Sequence, residues 1–208
     1  MAALSRSRSA GFIRAAAILV MIGATTTALA ACASTPTPAA TPSATPSQAP
    51  AESAAPSATP TPTATPVALT CSQLITADQI YAYNPNFGTD PGYSPKAGSL
   101  AAKAVAYKGL ACGWLNQTSG DVIEVAVSRP PAGDLTSLKN AAVTNGQSVP
   151  TYGVPPQIDE AYFAMRGSAG EVQVFRGSYW ITAVSTAFAE PGDPAPLIQN
   201  VLDNLPQG

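Results

Sequence analysis

Residues 160–186 read EAYFAMRGSAGEVQVFRGSYWITAVST, three runs rich in β-branched and aromatic residues, broken only by GSAG at 167–170 and GS at 177–178. Connections this short cannot carry a crossover, so the runs 160–166, 171–176 and 179–186 must pair as an antiparallel meander. Working outward, 122–128 alternates Ile123, Val125 and Val127 against Val122, Glu124 and Ala126, the period of a strand with two different faces. It is joined to a preceding run at 111–117 by Thr118-Ser119-Gly120-Asp121, a hairpin signal. Helical signals surround these strands. Thr76 and Gln79 have the spacing of a capping box before Ile80, Tyr81 and Tyr83. Asp134 is a good N-cap for a helix carrying Leu135, Leu138 and Ala142, stopping near Gly146. Leu197, Ile198, Val201, Leu202 and Leu205 recur at helical spacing over 196–205. Residues 99–107 are ambiguous, their alanines suggesting a helical turn, and 84–98 reads as a long irregular loop rich in Pro, Gly and Asn. The expected fold is α+β, an antiparallel sheet of about five strands with helices packed on one face.

The whole chain has 208 residues, a formal net charge of -2 and no histidine. The missing imidazole removes the Ser–His–Asp and Cys–His relays and the H-E-x-x-H zinc site. The slightly acidic balance argues against a nucleic-acid partner, which needs a basic face over phosphates.

Composition divides the chain in three. Arg6, Arg8 and Arg14 precede an uncharged stretch centred on Ile18, Leu19, Val20, Met21 and Ile22, the layout of a secretory signal over residues 1–31. A spanning helix wants about 20 strongly apolar residues, and this run is interrupted by Gly23, Thr25, Thr26 and Thr27. It ends in Leu29-Ala30-Ala31-Cys32, which resembles the lipobox of bacterial lipoproteins; that resemblance implies that diacylglycerol is attached to the Cys32 thiol and that cleavage makes Cys32 the N-terminus. Ala28-Leu29-Ala30 also fits ordinary signal peptidase, which would release a soluble product. From 33 to 66 the chain is Ala, Thr, Ser and Pro apart from Gln48 and Glu52, with nine prolines. Such a segment builds no core; its contour is about 100 Å as polyproline II and its mean span about 30–35 Å as a coil. Thr35, Thr37, Thr59, Thr61 and Thr63 beside prolines suit O-glycosylation, and an unmodified spacer suits the composition equally. Residues 67–208 hold every aromatic residue except Phe12 and are expected to be one globular domain.

The chain has 3 cysteines, an odd number that in an exported protein needs an explanation. Lipidation of Cys32 would leave Cys71 and Cys112, 41 residues apart, to form a structural disulfide. Their spacing is not the Cys-x-x-Cys of a redox centre.

Other candidates are weaker. Asp159 and Glu160 are adjacent carboxylates, but successive strand residues point to opposite faces, which favours a role at the strand opening over acid–base work. Asn84, Asn86 and Asp90 could offer oxygens to calcium, yet Pro95 stands where a bidentate Glu is needed, so they are expected to form turns. No S-x-x-K spacing supports a Ser–Lys pair, and no cofactor motif is found. Trp114 and Trp180 are expected in the core. The loop 84–98 is the best place for a partner contact, with Tyr81, Tyr83, Phe87 and Tyr93 as aromatic anchors; the competing reading has these rings packed beneath their own loop.

Cys71 followed by Leu74-Ile75-Thr76, then Cys112-Gly113-Trp114, then Ile158-Asp159-Glu160-Ala161-Tyr162 and a Leu-rich C-terminal helix resemble actinobacterial cell-envelope lipoproteins with an uncharacterised extracytoplasmic domain, similar in layout to kinase sensor domains and PsbP-like lipoproteins. The resemblance implies a location on the outer face of the cytoplasmic membrane and carries over no catalytic residue. The expected function is a lipid-anchored, non-enzymatic module that binds an envelope protein or a small ligand. A sensory accessory domain and a histidine-independent envelope hydrolase are the alternatives.

Overall fold

A computed structural model describes residues 61–206; the signal 1–31, Cys32 and the tether up to residue 60 lie outside the described residues. Five α-helices are present: α1 Cys71–Leu74, α2 Ala77–Tyr83, α3 Leu100–Ala106, α4 Ala132–Asn145 and α5 Ala195–Asn204, with a 3-10 turn at Pro150–Tyr152. The strands are β1 Phe87–Thr89, β2 Leu110–Asn116, β3 Val122–Ser128, β4 Gln147–Ser148, β5 Glu160–Arg166, β6 Ala169–Arg176 and β7 Tyr179–Ser185. They form one seven-stranded sheet in the order β1-β2-β3-β7-β6-β5-β4, antiparallel throughout. The chain fills the sheet from one edge to β3, crosses to the far edge along α4, and returns inward as the β4–β7 meander. β3 and β7 meet at the centre, Val125 opposite Ala183 and Val127 opposite Ile181.

The α+β class, the antiparallel sheet and the single disulfide agree with the sequence reading. Two features differ from it. First, the sheet has seven strands rather than about five. The extra two, of 3 and 2 residues, are short edge segments that neighbouring backbone recruits: Phe87–Thr89 pairs along β2, and Gln147–Ser148 along β5. Second, helices cover both faces of the sheet, not one. On the first face, α1, α2 and α5 bring Leu74, Ile80, Leu197, Ile198 and Val201 onto Trp114, Val125, Val174 and Ile181. On the second, Ala101 and Ala104 of α3 and Leu138 and Ala142 of α4 pack on Ala126, Phe175 and Trp180. The reason lies in the central strands. Trp180 beside Ile181 and Phe175 beside Val174 put a large apolar group on each side of the pleat, so one helical layer would leave about 200 Å² per aromatic ring exposed to water.

Local signals explain where the elements start. Thr76 Oγ1 accepts from Gln79 N (3.2 Å) and Gln79 Oε1 accepts from Thr76 N (2.9 Å), a complete capping box. A second box, Thr70 with Gln73, starts α1. Ser99 Oγ caps α3 by accepting from Ala102 N at 3.1 Å, and the small side chains of α3 let it lie close against Ala126. α4 begins two residues before Asp134, at Ala132 with Pro131 as its N-cap. Pro131 is extended (ψ 149) and makes no side-chain cap bond, so the start of α4 is helped instead by Asp134 in its first turn, which sits favourably with the helix dipole. The connection at 167–170 tightens to Gly167-Ser168, with Gly167 at φ 65, so β6 starts two residues earlier than the sequence reading.

Cys71 and Cys112 are joined, with Cα atoms 5.6 Å apart, tying the first residue of α1 to β2. The described residues include the last part of the tether: Thr65 bridges antiparallel to Arg129, and just beyond it Val67 N donates to Lys108 O at 3.1 Å.

Candidate functional site

On the second face α4 runs from the end where β3 finishes down to Asn145 beside Arg166 of β5, whereas α3 lies over β2 and β3 only near the end where β3 finishes. At the other end lies an open groove of about 640 Å³, walled by the loop after β1 and floored by Val122, Glu124, Val184 and Ala169. Its shape depends on Tyr93. Asp90 Oδ1 accepts from Gly92 N (3.0 Å) in an Asx turn, and Tyr93 N donates to Asp90 O (3.2 Å), so the chain turns back over β2. There Tyr93 lies on Gly113, where an added Cβ would collide with the ring atoms Cγ and Cδ2 and with the Tyr93 Cβ. A side chain at 113 would evict the ring. The Tyr93 hydroxyl donates to Glu124 Oε2, closing the inner wall of the groove.

The carboxylates in the groove are already engaged. Glu124 accepts from Tyr93. Asp121 accepts from Thr186 (2.6 Å) and Ser119 (2.7 Å), and these hydroxyl bonds hold its carboxyl below the usual range. An ionised acceptor fixed by two donors is suited to orienting a ligand by charge and hydrogen bond. It is a poor general acid, which needs a raised pKa. Lys96 and Asp90 also line the groove.

The residues singled out in the sequence fall in different places. Of the loop aromatics, Tyr93 lines the groove. Phe87 does not: it is 5% exposed, belongs to β1, and its ring centroid stands 6.3 Å from that of Tyr83 within the main core. Tyr83 is half-buried, its other side lining a second hollow between α2 and α5 of about 520 Å³ with Asp78, Gln79 and Asn200. Tyr81 is exposed. Asn84 and Asp90 form Asx turns onto Asn86 N and Gly92 N. Asp159 and Glu160 both reach Lys139 Nζ, at 3.1 and 3.2 Å, because Asp159 precedes β5 and so escapes the alternation of the strand. Trp114 and Trp180 are fully buried. The partnership of Tyr93 with Glu124, 31 residues apart, was not visible in the sequence. The one signal was a lone carboxylate within Val-Ile-Glu-Val-Ala-Val, on the face opposite Ile123 and Val125.

Tyrosine burial gives the domain an alkaline limit. Desolvation raises the phenol of Tyr93 well above its ordinary value, and its hydrogen bond to Glu124 and that carboxylate's charge raise it further. Tyr162 is pushed up to about 12 by burial and then by Glu160, and burial likewise raises Tyr83, Tyr107 and Tyr152. A group whose folded pKa is raised supplies stability that is complete below its unfolded pKa and fades as pH rises toward the folded one. Thermal stability is therefore expected to hold up to about pH 10, the unfolded phenol value, and to fall above it. Tyr93→Phe should flatten part of that fall in calorimetry from pH 9 to 11.5. Equal midpoints at pH 8 and pH 11 would contradict this.

Compared with family models, with curated proteins and with solved structures, the chain gives no significant match to any of them.

Proposed function

We propose that this protein is a lipid-anchored binding module of the bacterial cell envelope, displayed on the outer face of the cytoplasmic membrane, with the groove beside Tyr93 as its ligand surface. The observation that carries the anchoring part is the disulfide. Cys71 and Cys112 are spent on each other, so of 3 cysteines Cys32 is the one left outside that bridge, and it stands at the end of Leu29-Ala30-Ala31-Cys32. Thioether formation with diacylglycerol needs a thiol. A disulfide also fits an oxidising, extracytoplasmic setting. The tether then lets the domain sample a wide volume above the bilayer.

The binding part, non-enzymatic in this reading, is supported by the commitment of Asp121 and Glu124 to hydroxyl donors. They present fixed charge and acceptor oxygens to an envelope protein or a small polar ligand. Replacing Cys32 with Ala tests the anchor: the protein should move from the membrane fraction to the medium, at least tenfold by immunoblot, because a one- or two-chain anchor supplies nearly all of the membrane affinity. Retention of Cys32→Ala in the membrane would end the lipoprotein reading.

A further inference from the structure

The strands that floor the groove also determine where the tether leaves. Thr65 pairs antiparallel with Arg129, the residue just after β3. Followed backward from Thr65, the chain therefore runs past Arg129 and off the sheet at the end where β3 finishes. The groove lies at the end where β3 begins, at Val122 and Glu124. Seven strand residues separate the two ends, about 20 Å at the usual rise.

The end where the chain leaves carries a group of cations. Val67 N donates to Lys108 O at 3.1 Å and Thr65 N donates to Arg129 O at 3.0 Å, so Lys108 and Arg129 flank the departing strand. Lys103 lies one turn back on α3, where its carbonyl accepts from Tyr107 N. Lys103 and Lys108 are exposed and form no ion pair among the described residues, whereas Arg129 is half-buried, its Nε donating to Ser178 Oγ at 3.0 Å and its guanidinium lying over the Tyr179 ring. Between the two lysines Val105 is 45% exposed. The neighbouring carboxylate that acts on Tyr107, Asp134, sits in the first turn of α4, where it answers the helix dipole. The acidic residues of the groove, Asp90, Asp121 and Glu124, are at the opposite end.

The geometry points to a second interaction surface: the α3 end of the domain, with Lys103, Val105 and Lys108, docks on the anionic lipid headgroups of the bilayer that holds the anchor, and the groove faces away from the membrane. This rests on the lipid-anchor reading. Three features support a lipid surface as the occupant: cations without carboxylate partners, an exposed aliphatic side chain among them, and a tether that leaves from the same place. Each basic residue near an anionic surface shifts docking about fivefold. That is too little to recruit the domain from solution, and enough to orient a domain already held nearby.

The test supplies the anchor chemically, so that its outcome does not depend on whether cells lipidate Cys32. The chain from Cys32 onward, its disulfide intact, is coupled through the Cys32 thiol to a maleimide phospholipid in vesicles. Hydrogen exchange is followed over residues 100–109. With phosphatidylglycerol present, exchange there should slow at least threefold relative to purely phosphatidylcholine vesicles. The difference should vanish in about 0.5 M salt, where screening shortens to a few ångströms. In K103Q/K108N the docked-to-free ratio should fall about 25-fold; Asn suits the left-handed backbone at 108 (φ 57). Equal exchange on both vesicles, protection that survives salt, or protection over 90–96 instead would overturn the proposal. Failure here with Cys32→Ala still released to the medium would leave the anchor standing and remove only the docking.

Discussion

Replacing Cys71 and Cys112 together with alanine is expected to destabilise the domain by about 4 kcal/mol, because the bridge closes a loop of 41 residues and removes that loop's freedom from the unfolded chain. For a domain of this size the thermal midpoint should drop by roughly 12–16 °C. The magnitude follows from what the bridge holds. α1 has 4 residues, far below the length at which a helix persists alone. Yet Leu74 and Ile75 at its end are fully buried and Asn204 Nδ2 donates to Leu74 O at 3.1 Å. Cys112 sits within β2, 1% exposed. The bridge thus connects a segment that cannot organise itself to the strand that can. Denaturant unfolding of the double variant, and of the wild type under reductant, should show the same shift. A change below 1 kcal/mol in both would mean that the segment 71–112 is equally restricted without the bridge.

Cysteine pairing was legible because it needs only a count and the expectation of an oxidising setting. The β5–β7 meander was legible for a similar reason: glycine-bearing turns of two residues leave one possible pairing, and the alternation within each run fixes the register. β1 and β4 could not be read. Segments of 3 and 2 residues have no periodicity to detect, and they are strands only because the edges of β2 and β5 present unpaired backbone. The double helical cover was partly legible. Trp180 beside Ile181 signals burial on both sides, but the alanines of α3 carry no amphipathic contrast that says which face they choose. The groove was the least legible part. Tyr93 stood out as an aromatic in a long loop, whereas its position depends on Gly113 being flat enough to receive the ring and on Glu124 being within reach of the hydroxyl. Both conditions are set by β2–β3 pairing, Gly113 opposite Glu124, a relation of register that no local window contains.

The two buried tryptophans separate packing from hydrogen bonding. Trp114 and Trp180 are both 0% exposed, and truncating either to alanine should cost about 3–5 kcal/mol through lost burial and the cavity left behind. Phenylalanine distinguishes them. Trp114 Nε1 is buried without a hydrogen-bond partner, and an orphaned donor of that kind costs about 1–3 kcal/mol. Trp114→Phe removes the orphan and leaves a void of about 40 Å³, worth about 1 kcal/mol at ~24 cal/mol per Å³. The two effects nearly cancel, so Trp114→Phe should lie within about 1 kcal/mol of the wild type. Trp180 Nε1 instead donates to Gln173 Oε1 at 3.1 Å. Trp180→Phe loses that bond and leaves the Gln173 amide oxygen without it, and should therefore be the worse of the two phenylalanine variants by about 1–2 kcal/mol. If chemical denaturation ranks them the other way, the Trp114 indole has a partner in solution, and its place under α1 and α5 owes more to polar contact than to packing.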